Sequence, residues 1–214
     1  LLFPLMDLTL EANALGKLTV YPVDDVGAVR HSALKPGELE RIAGVELLQD
    51  SRVMAYLEAV RRMSGLLPKS VLCGAYMIGP FSLVGLLVGA EEAALLTLEE
   101  PERMEELCEL ATSKLALFAQ ALLEAGAEVI CLLEPSAVML GPRQFEGFSG
   151  KWCAQLTDLV HSREAAAVLH ICGNTTHLIK SMVATGADAL SLDSPETGLD
   201  LAQAADQAGE NVLI

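Results

Sequence analysis

Short apolar runs set between long amphipathic stretches restrict this chain more than any other feature. Glu128 to Leu133, Ala165 to Leu169 and Ala189 to Asp193 are such runs, and helical stretches of ten or more residues separate several of them. Strands buried on both faces read as continuous apolar runs, and a strand–helix–strand series folds as a parallel sheet with right-handed crossovers. Two further strands are expected at Leu18 to Val23 and Ser70 to Met77, and another opens near Val212. Helices are expected over Leu5 to Leu15, Ser51 to Leu66, Pro101 to Gly126, Pro142 to His161, Thr176 to Ala184 and Leu199 to Ala208, with a helical turn at Glu38 to Ile42. Val53, Leu57, Val60 and Met63 recur at helical spacing, and Pro101 with its early acids suits a helix N-terminus. Val26 to Pro36 has no period and reads as loop.

Serial strand–helix units close into a barrel or spread into an open doubly wound sheet. No G-x-G-x-x-G follows any strand, and Gly79-Pro80-Phe81 is no phosphate loop. Ala189, Ser191 and Asp193 alternate with Leu190 and Leu192, which suits a crowded barrel interior on one face and outer helices on the other. The expected fold is therefore α/β, a (β/α)8 TIM barrel, with residues 1–214 forming one partial barrel domain. A whole barrel takes roughly 250 residues. The chain opens on Leu1 and closes on what reads as a starting strand, so a fragment lacking N- and C-terminal strands is expected. Open sheet edges would then favour self-association or a longer parent protein.

Charge and cysteine usage narrow the function. A net charge of −15, with 14 scattered Lys and Arg, leaves no basic patch for nucleic acid or an anionic membrane surface. Ser70 to Ala90 carries no charge and imitates a membrane span. Gly74, Gly79, Pro80, Gly85 and Gly89 interrupt it, so a buried strand, a turn and a short helix are expected instead. Five dispersed cysteines without a C-x-x-C pair suit the reduced thiols of a cytoplasmic protein.

In a barrel, the C-terminal strand ends converge on one mouth. That would gather Asp24, the turn from Gly79 to Ser82, Glu134 with Ser136, His170 with Cys172, and Asp193. Side chains two apart on a strand point the same way, so His170 and Cys172 aim an imidazole and a thiol at one place, half of a zinc site. Spacing alone favours a plainer reading, a backbone-bonded histidine beside a structural cysteine. A Cys–His nucleophile pair fits poorly, because side chains that point alike do not face one another. Asn174 or Thr175 can cap the following helix. Candidate cofactor contacts are Gly79, Pro80, Phe81 and Asn174, and candidate acids are Asp7 and Glu134. Each acid has a structural reading as well, Asp7 as a first-turn acid and Glu134 as a cap. His161 and His177 read as solvated helix residues, and Cys73, Cys108, Cys131 and Cys153 as ordinary buried thiols.

These residues also carry a family likeness. The run Leu169-His170-Ile171-Cys172-Gly173-Asn174-Thr175, followed by Gly186 to Asp193, resembles the uroporphyrinogen decarboxylase superfamily, and within it the methylcobamide:coenzyme M methyltransferase branch. Met6 to Gly16, Ile78 to Leu83, and Glu134 to Ala137 through Pro142, Phe145 and Phe148 match in family order. The resemblance implies a TIM barrel with His170 and Cys172 as zinc ligands and a further cysteine that falls beyond Ile214. It implies a methylated corrinoid on a partner protein as methyl donor and a small thiol, such as coenzyme M, as acceptor. Zinc would deprotonate a bound thiol, since thiolate is the nucleophile. Glu134 is a further ligand or site acid by position. The decarboxylase branch instead implies Asp7 as the acid that contacts a tetrapyrrole. That pattern has a tyrosine where this chain has Leu86 or a neighbour, and an arginine-bearing N-terminal segment absent from these residues. A barrel that binds corrinoid or tetrapyrrole without turnover is the non-enzymatic alternative.

Overall fold

A computed structural model describes residues 1–30, 34 and 37–214. The chain opens with helix α1 (Leu10–Ala14), the two-residue strands β1 (Thr19–Val20) and β2 (Ala28–Val29), helix α2 (Glu38–Ala43) and helix α3 (Ser51–Leu66). Strand β3 (Gly74–Ile78) leads into α4 (Pro80–Val88), α5 (Ala90–Glu99) and α6 (Pro101–Glu124). Then follow β4 (Val129–Leu133), α7 (Pro142–Phe145), α8 (Lys151–His161), β5 (Ala166–His170), α9 (Ile179–Val183), β6 (Ala189–Ser191) and α10 (Leu201–Ala208).

Strands β3, β4, β5 and β6 form one parallel sheet whose spatial order is their sequence order. Parallel bridges from Leu2 to Cys73 and from Ala189 to Leu213 extend it by a position on each side. A doubly wound sheet reverses direction at a switch point, whereas a barrel adds each strand beside the last. The uninterrupted order is therefore that of a barrel, here an open arc. Helices cover its outer face: Leu107, Leu115, Phe118 and Leu122 of α6 are buried, as are Ala167 and Leu169 of β5. Among the described residues, no strand covers the free edge of β3 apart from the Leu2 bridge. Side chains occupy that edge instead, the Tyr56 hydroxyl accepting from Tyr76 N–H at 2.9 Å and the Glu11 carboxyl from Ile78 N–H at 2.9 Å.

Local chemistry sets the element ends. Asp50 caps α3, its carboxylate accepting from Arg52 and Val53 N–H at 2.9 and 3.1 Å. Lys114 of α6 donates to the Ala43 and Val45 carbonyls at 2.6 and 2.7 Å, tying the end of α2 to the long helix. The uncharged stretch resolves into β3 and the buried α4, and α5 leaves α4 at a bend of 108°. No single helix among the described residues is long and apolar enough to cross a membrane.

Several sequence expectations need correction. Leu18 to Val23 is not a barrel strand, because β1 pairs antiparallel with β2 in a separate hairpin. Asp24 consequently sits exposed in the hairpin turn, away from the strand ends. Val26 to Pro36 contains β2, while residues 31–33, 35 and 36 of that expected loop lie outside the described residues. The first helix begins at Leu10, not Leu5, since Asp7 accepts from Thr9 N–H at 2.9 Å and holds the chain in a non-helical turn. The helix after β5 starts at Ile179 instead of Thr176, and the one expected from Pro142 to His161 is interrupted by a π turn, Glu146–Gly150.

Candidate active site

The alternation of β5 decides which side chains reach the concave face. Ala166, Val168 and His170 are partly exposed there, while Ala167 and Leu169 are sealed against helices. Register places Tyr76, Cys131 and Val168 side by side, and Leu133, His170 and Ser191 one layer nearer the strand ends. These six residues line a cavity of about 460 Å³, joined by Cys172 and Pro135 beyond the strands and by Phe3, Met6 and Leu8 from the N-terminal segment. Phe3 stacks on Tyr76 with ring centroids 4.3 Å apart. His170 and Cys172 thus open into one largely apolar space at the C-terminal end of a parallel sheet.

Both are held from behind by the end of β6. His170 Nδ1 lies 2.9 Å from the Ser191 carbonyl oxygen and 3.1 Å from its hydroxyl. Asp193 accepts from Gly173 N–H at 2.7 Å and from Ser194 N–H at 2.6 Å, which holds its carboxyl below the usual range. Gly173 needs the left-handed conformation, with φ of +88°, so a glycine turn pinned by Asp193 follows Cys172 directly. Cys131 shares the cavity wall, and burial pushes its thiol up to about 12, so it stays protonated.

The other candidates are dispersed. Glu134 is completely buried, and its carboxylate turns to the N-terminus of α4, away from the cavity. It accepts from Phe81 and Ser82 N–H at 3.0 and 2.8 Å and from the Ser149 hydroxyl at 3.2 Å. Burial raises its pKa and these donors oppose the rise. Gly79 is the residue over which the carboxylate passes, and a Cβ there would overlap the Glu134 side chain. Gly79, Pro80 and Phe81 are buried at this junction and line no part of the cavity. Asn174 is exposed and accepts from Thr176 N–H at 3.1 Å, a local capping contact. Asp7 pairs with Arg52 and Thr9 and lines a neighbouring cavity of about 310 Å³ that shares Met6 with the first. His161 and His177 are not simply solvated: His161 Nε2 is 2.9 Å from Asp188, and His177 Nε2 is 3.1 Å from the Leu140 carbonyl.

The sequence reading passed over Tyr76 and Cys131 as wall residues. Their signal was parity with His170, which becomes usable only once strand register is known. As a metal site the donor set fits in kind, an imidazole nitrogen and a sulfur of the sort zinc takes. It supplies two ligands; among the described residues no group of three His, Cys, Asp or Glu side chains fits a metal ion.

A family model described as uroporphyrinogen decarboxylase (URO-D) matches residues 2–214. The chain belongs to the uroporphyrinogen decarboxylase family. A methylcobamide:CoM methyltransferase, MtbA, of Methanosarcina acetivorans is 30% identical over 189 residues, which are 87% of this chain and 54% of that protein. A uroporphyrinogen decarboxylase of Agrobacterium fabrum is 27% identical, over 71% of this chain and 48% of that one. The solved structure of a methyltransferase from Methanosarcina mazei superposes with a TM-score of 0.84 at 23% identity, covering 98% of this chain and 62% of the other. That likeness supports the TIM-barrel fold. The chain spans about half the length of the curated relatives it matches. Within the uroporphyrinogen decarboxylase family, then, both methyl transfer and decarboxylation are represented among proteins similar to this one.

Proposed function

We propose that this uroporphyrinogen decarboxylase family member is a zinc-dependent corrinoid methyltransferase that moves a methyl group from a methylated corrinoid protein to a thiol such as coenzyme M. The observation that carries the reading is the shared cavity of His170 and Cys172 at the C-terminal end of the parallel strands. His170 and Cys172 would hold the metal. Zinc, when bound, supplies a Lewis acid that keeps a coordinated thiol deprotonated at neutral pH. The chain's own part is to hold the two donors and shape the pocket. Phe3, Tyr76, Leu133 and Val168 give an apolar wall that excludes water from a thiolate, and a desolvated thiolate is the stronger nucleophile. Ser191 at the end of β6 and Asp193 just after it fix the two ligand-bearing segments. The reading includes one partial barrel domain over residues 1–214 and a cytoplasmic location, supported by five free thiols.

Metal analysis of the full-length protein, with His170→Ala and Cys172→Ala alongside, tests the proposal. About one zinc per chain is expected in the parent, lost together with thiol methylation in both variants. A metal-free parent that removes carboxylates from uroporphyrinogen would establish the decarboxylase reading. Tetrapyrrole or corrinoid binding without turnover would point to a non-catalytic barrel.

A further inference from the structure

We infer that Ser191 is a positioning residue for His170, its backbone carbonyl fixing the imidazole as the Nδ1–H tautomer so that Nε2 is the ligating atom. This rests on the metal reading above and specifies it. Ser191 is opposite His170 in the β5–β6 ladder, so its place relative to the imidazole is set by backbone pairing and not by a mobile side chain. Its carbonyl oxygen lies 2.9 Å from Nδ1 and its hydroxyl 3.1 Å from the same nitrogen. A carbonyl carries no hydrogen and can only accept, so the shorter contact requires the proton on Nδ1. A neutral imidazole has one N–H, which leaves the lone pair on Nε2. The hydroxyl accepts from the same N–H, and the two contacts agree on one tautomer and one ring orientation. Asp193, the nearby carboxylate, does not compete for the ring, since its oxygens accept from Gly173 and Ser194 N–H. A partner on the second nitrogen of a ligating histidine orients the ring and raises its basicity, and its loss commonly weakens metal binding 10–100-fold. Ser191 itself lines the cavity, so its hydroxyl and the imidazole share one space.

The full-length protein labelled with 15N-histidine and stripped of metal by a chelator provides the test. Long-range 1H–15N correlation reads which ring nitrogen carries the proton, with His170→Ala assigning the signals. The expected spectrum has a protonated Nδ1 and a bare Nε2, and on addition of cadmium-113 the metal coupling appears at Nε2. Ser191→Ala keeps the carbonyl, so it should keep the tautomer but bind cadmium about 10-fold more weakly, and Ser191→Thr should restore the affinity. A protonated Nε2 in the metal-free protein, or coupling at Nδ1, would overturn the inference. Unchanged affinity in Ser191→Ala would remove the hydroxyl from it. No coupling at either nitrogen, with Nδ1–H intact, would sink the metal reading and the ligating role of Nε2 while upholding the carbonyl contact.

Discussion

Glu11 offers a sharp test of how the free edge of β3 is satisfied. Its side chain is completely buried, one oxygen accepts from Ile78 N–H at 2.9 Å, and the other oxygen has no hydrogen-bond partner. Burial, only partly offset by that backbone bond, raises its pKa from the ordinary 4.5 to about 7. The folded protein therefore holds a proton that the unfolded chain releases between those two values. Below pH 4.5 both states are protonated and the contribution is fully present; it is lost as pH rises toward about 7 and is constant beyond. That interval is worth about 3 kcal/mol at roughly 1.36 kcal/mol per pH unit, an upper figure because any water admitted to the site reduces it. Glu11→Gln keeps a carbonyl for Ile78 N–H and does not titrate. Urea unfolding of both full-length proteins from pH 4 to 8 should show the variant's advantage growing from near zero to about 3 kcal/mol. A difference that stays constant across this range, or shrinks with rising pH, would refute the assignment of a proton to buried Glu11.

Glu134→Ala leaves the Phe81 and Ser82 amides without their buried acceptor and should cost about 1–3 kcal/mol for each in urea unfolding, with zinc stoichiometry of the folded fraction unchanged; zinc loss at parental stability would make Glu134 a ligand. Gly79→Ala should cost about 1–3 kcal/mol by overpacking against that carboxylate, and a double-mutant cycle with Glu134→Ala should show the two costs to be less than additive. Asp7→Asn should cost about 1 kcal/mol, since its pair with Arg52 is about one-third exposed, and should leave zinc bound; metal loss would bring Asp7 into the site. The His161–Asp188 pair is more open still, so His161→Ala should cost under about 1 kcal/mol. For Asp188, burial is outweighed by Ala167 N–H and His161, so its lowered pKa gives stability present above the ordinary carboxylate range and lost as pH falls through the folded value, which acid unfolding of Asp188→Asn would check.

The barrel-like order was legible because buried parallel strands announce themselves as apolar runs, and β3, β4, β5 and β6 all lie within or overlap the expected segments. The common direction of His170 and Cys172 follows from a period of two, which is local geometry. What the sequence did not disclose depends on contacts between distant segments. Leu18 to Val23 has strand composition, yet whether it joins the barrel or a hairpin depends on which partner it meets, and it meets Ala28–Val29. Cys131 looks like any buried thiol until register sets it beside Val168.

The two acids show the same limit from the side of chemistry. Asp7 and Glu134 were candidates because an acid at a strand end or beside a helix start can face substrate. An acid in either position can equally satisfy orphan amides at a helix N-terminus or pair with a nearby cation. Position fixes only that donors are close, and burial selects among them. Glu134 lies under α4, whose first amides are aligned and dry, so its carboxylate turns inward. Asp7 lies beside Arg52, whose guanidinium also stacks over Tyr21, so its carboxylate turns sideways to a cation already held in place. Ser191 engages His170 at Nδ1, and among the described residues no hydrogen-bond partner is found at Nε2. With both acids held by other partners, His170 and Cys172 are the candidates that the cavity gathers, and the metal proposal rests on that pair alone.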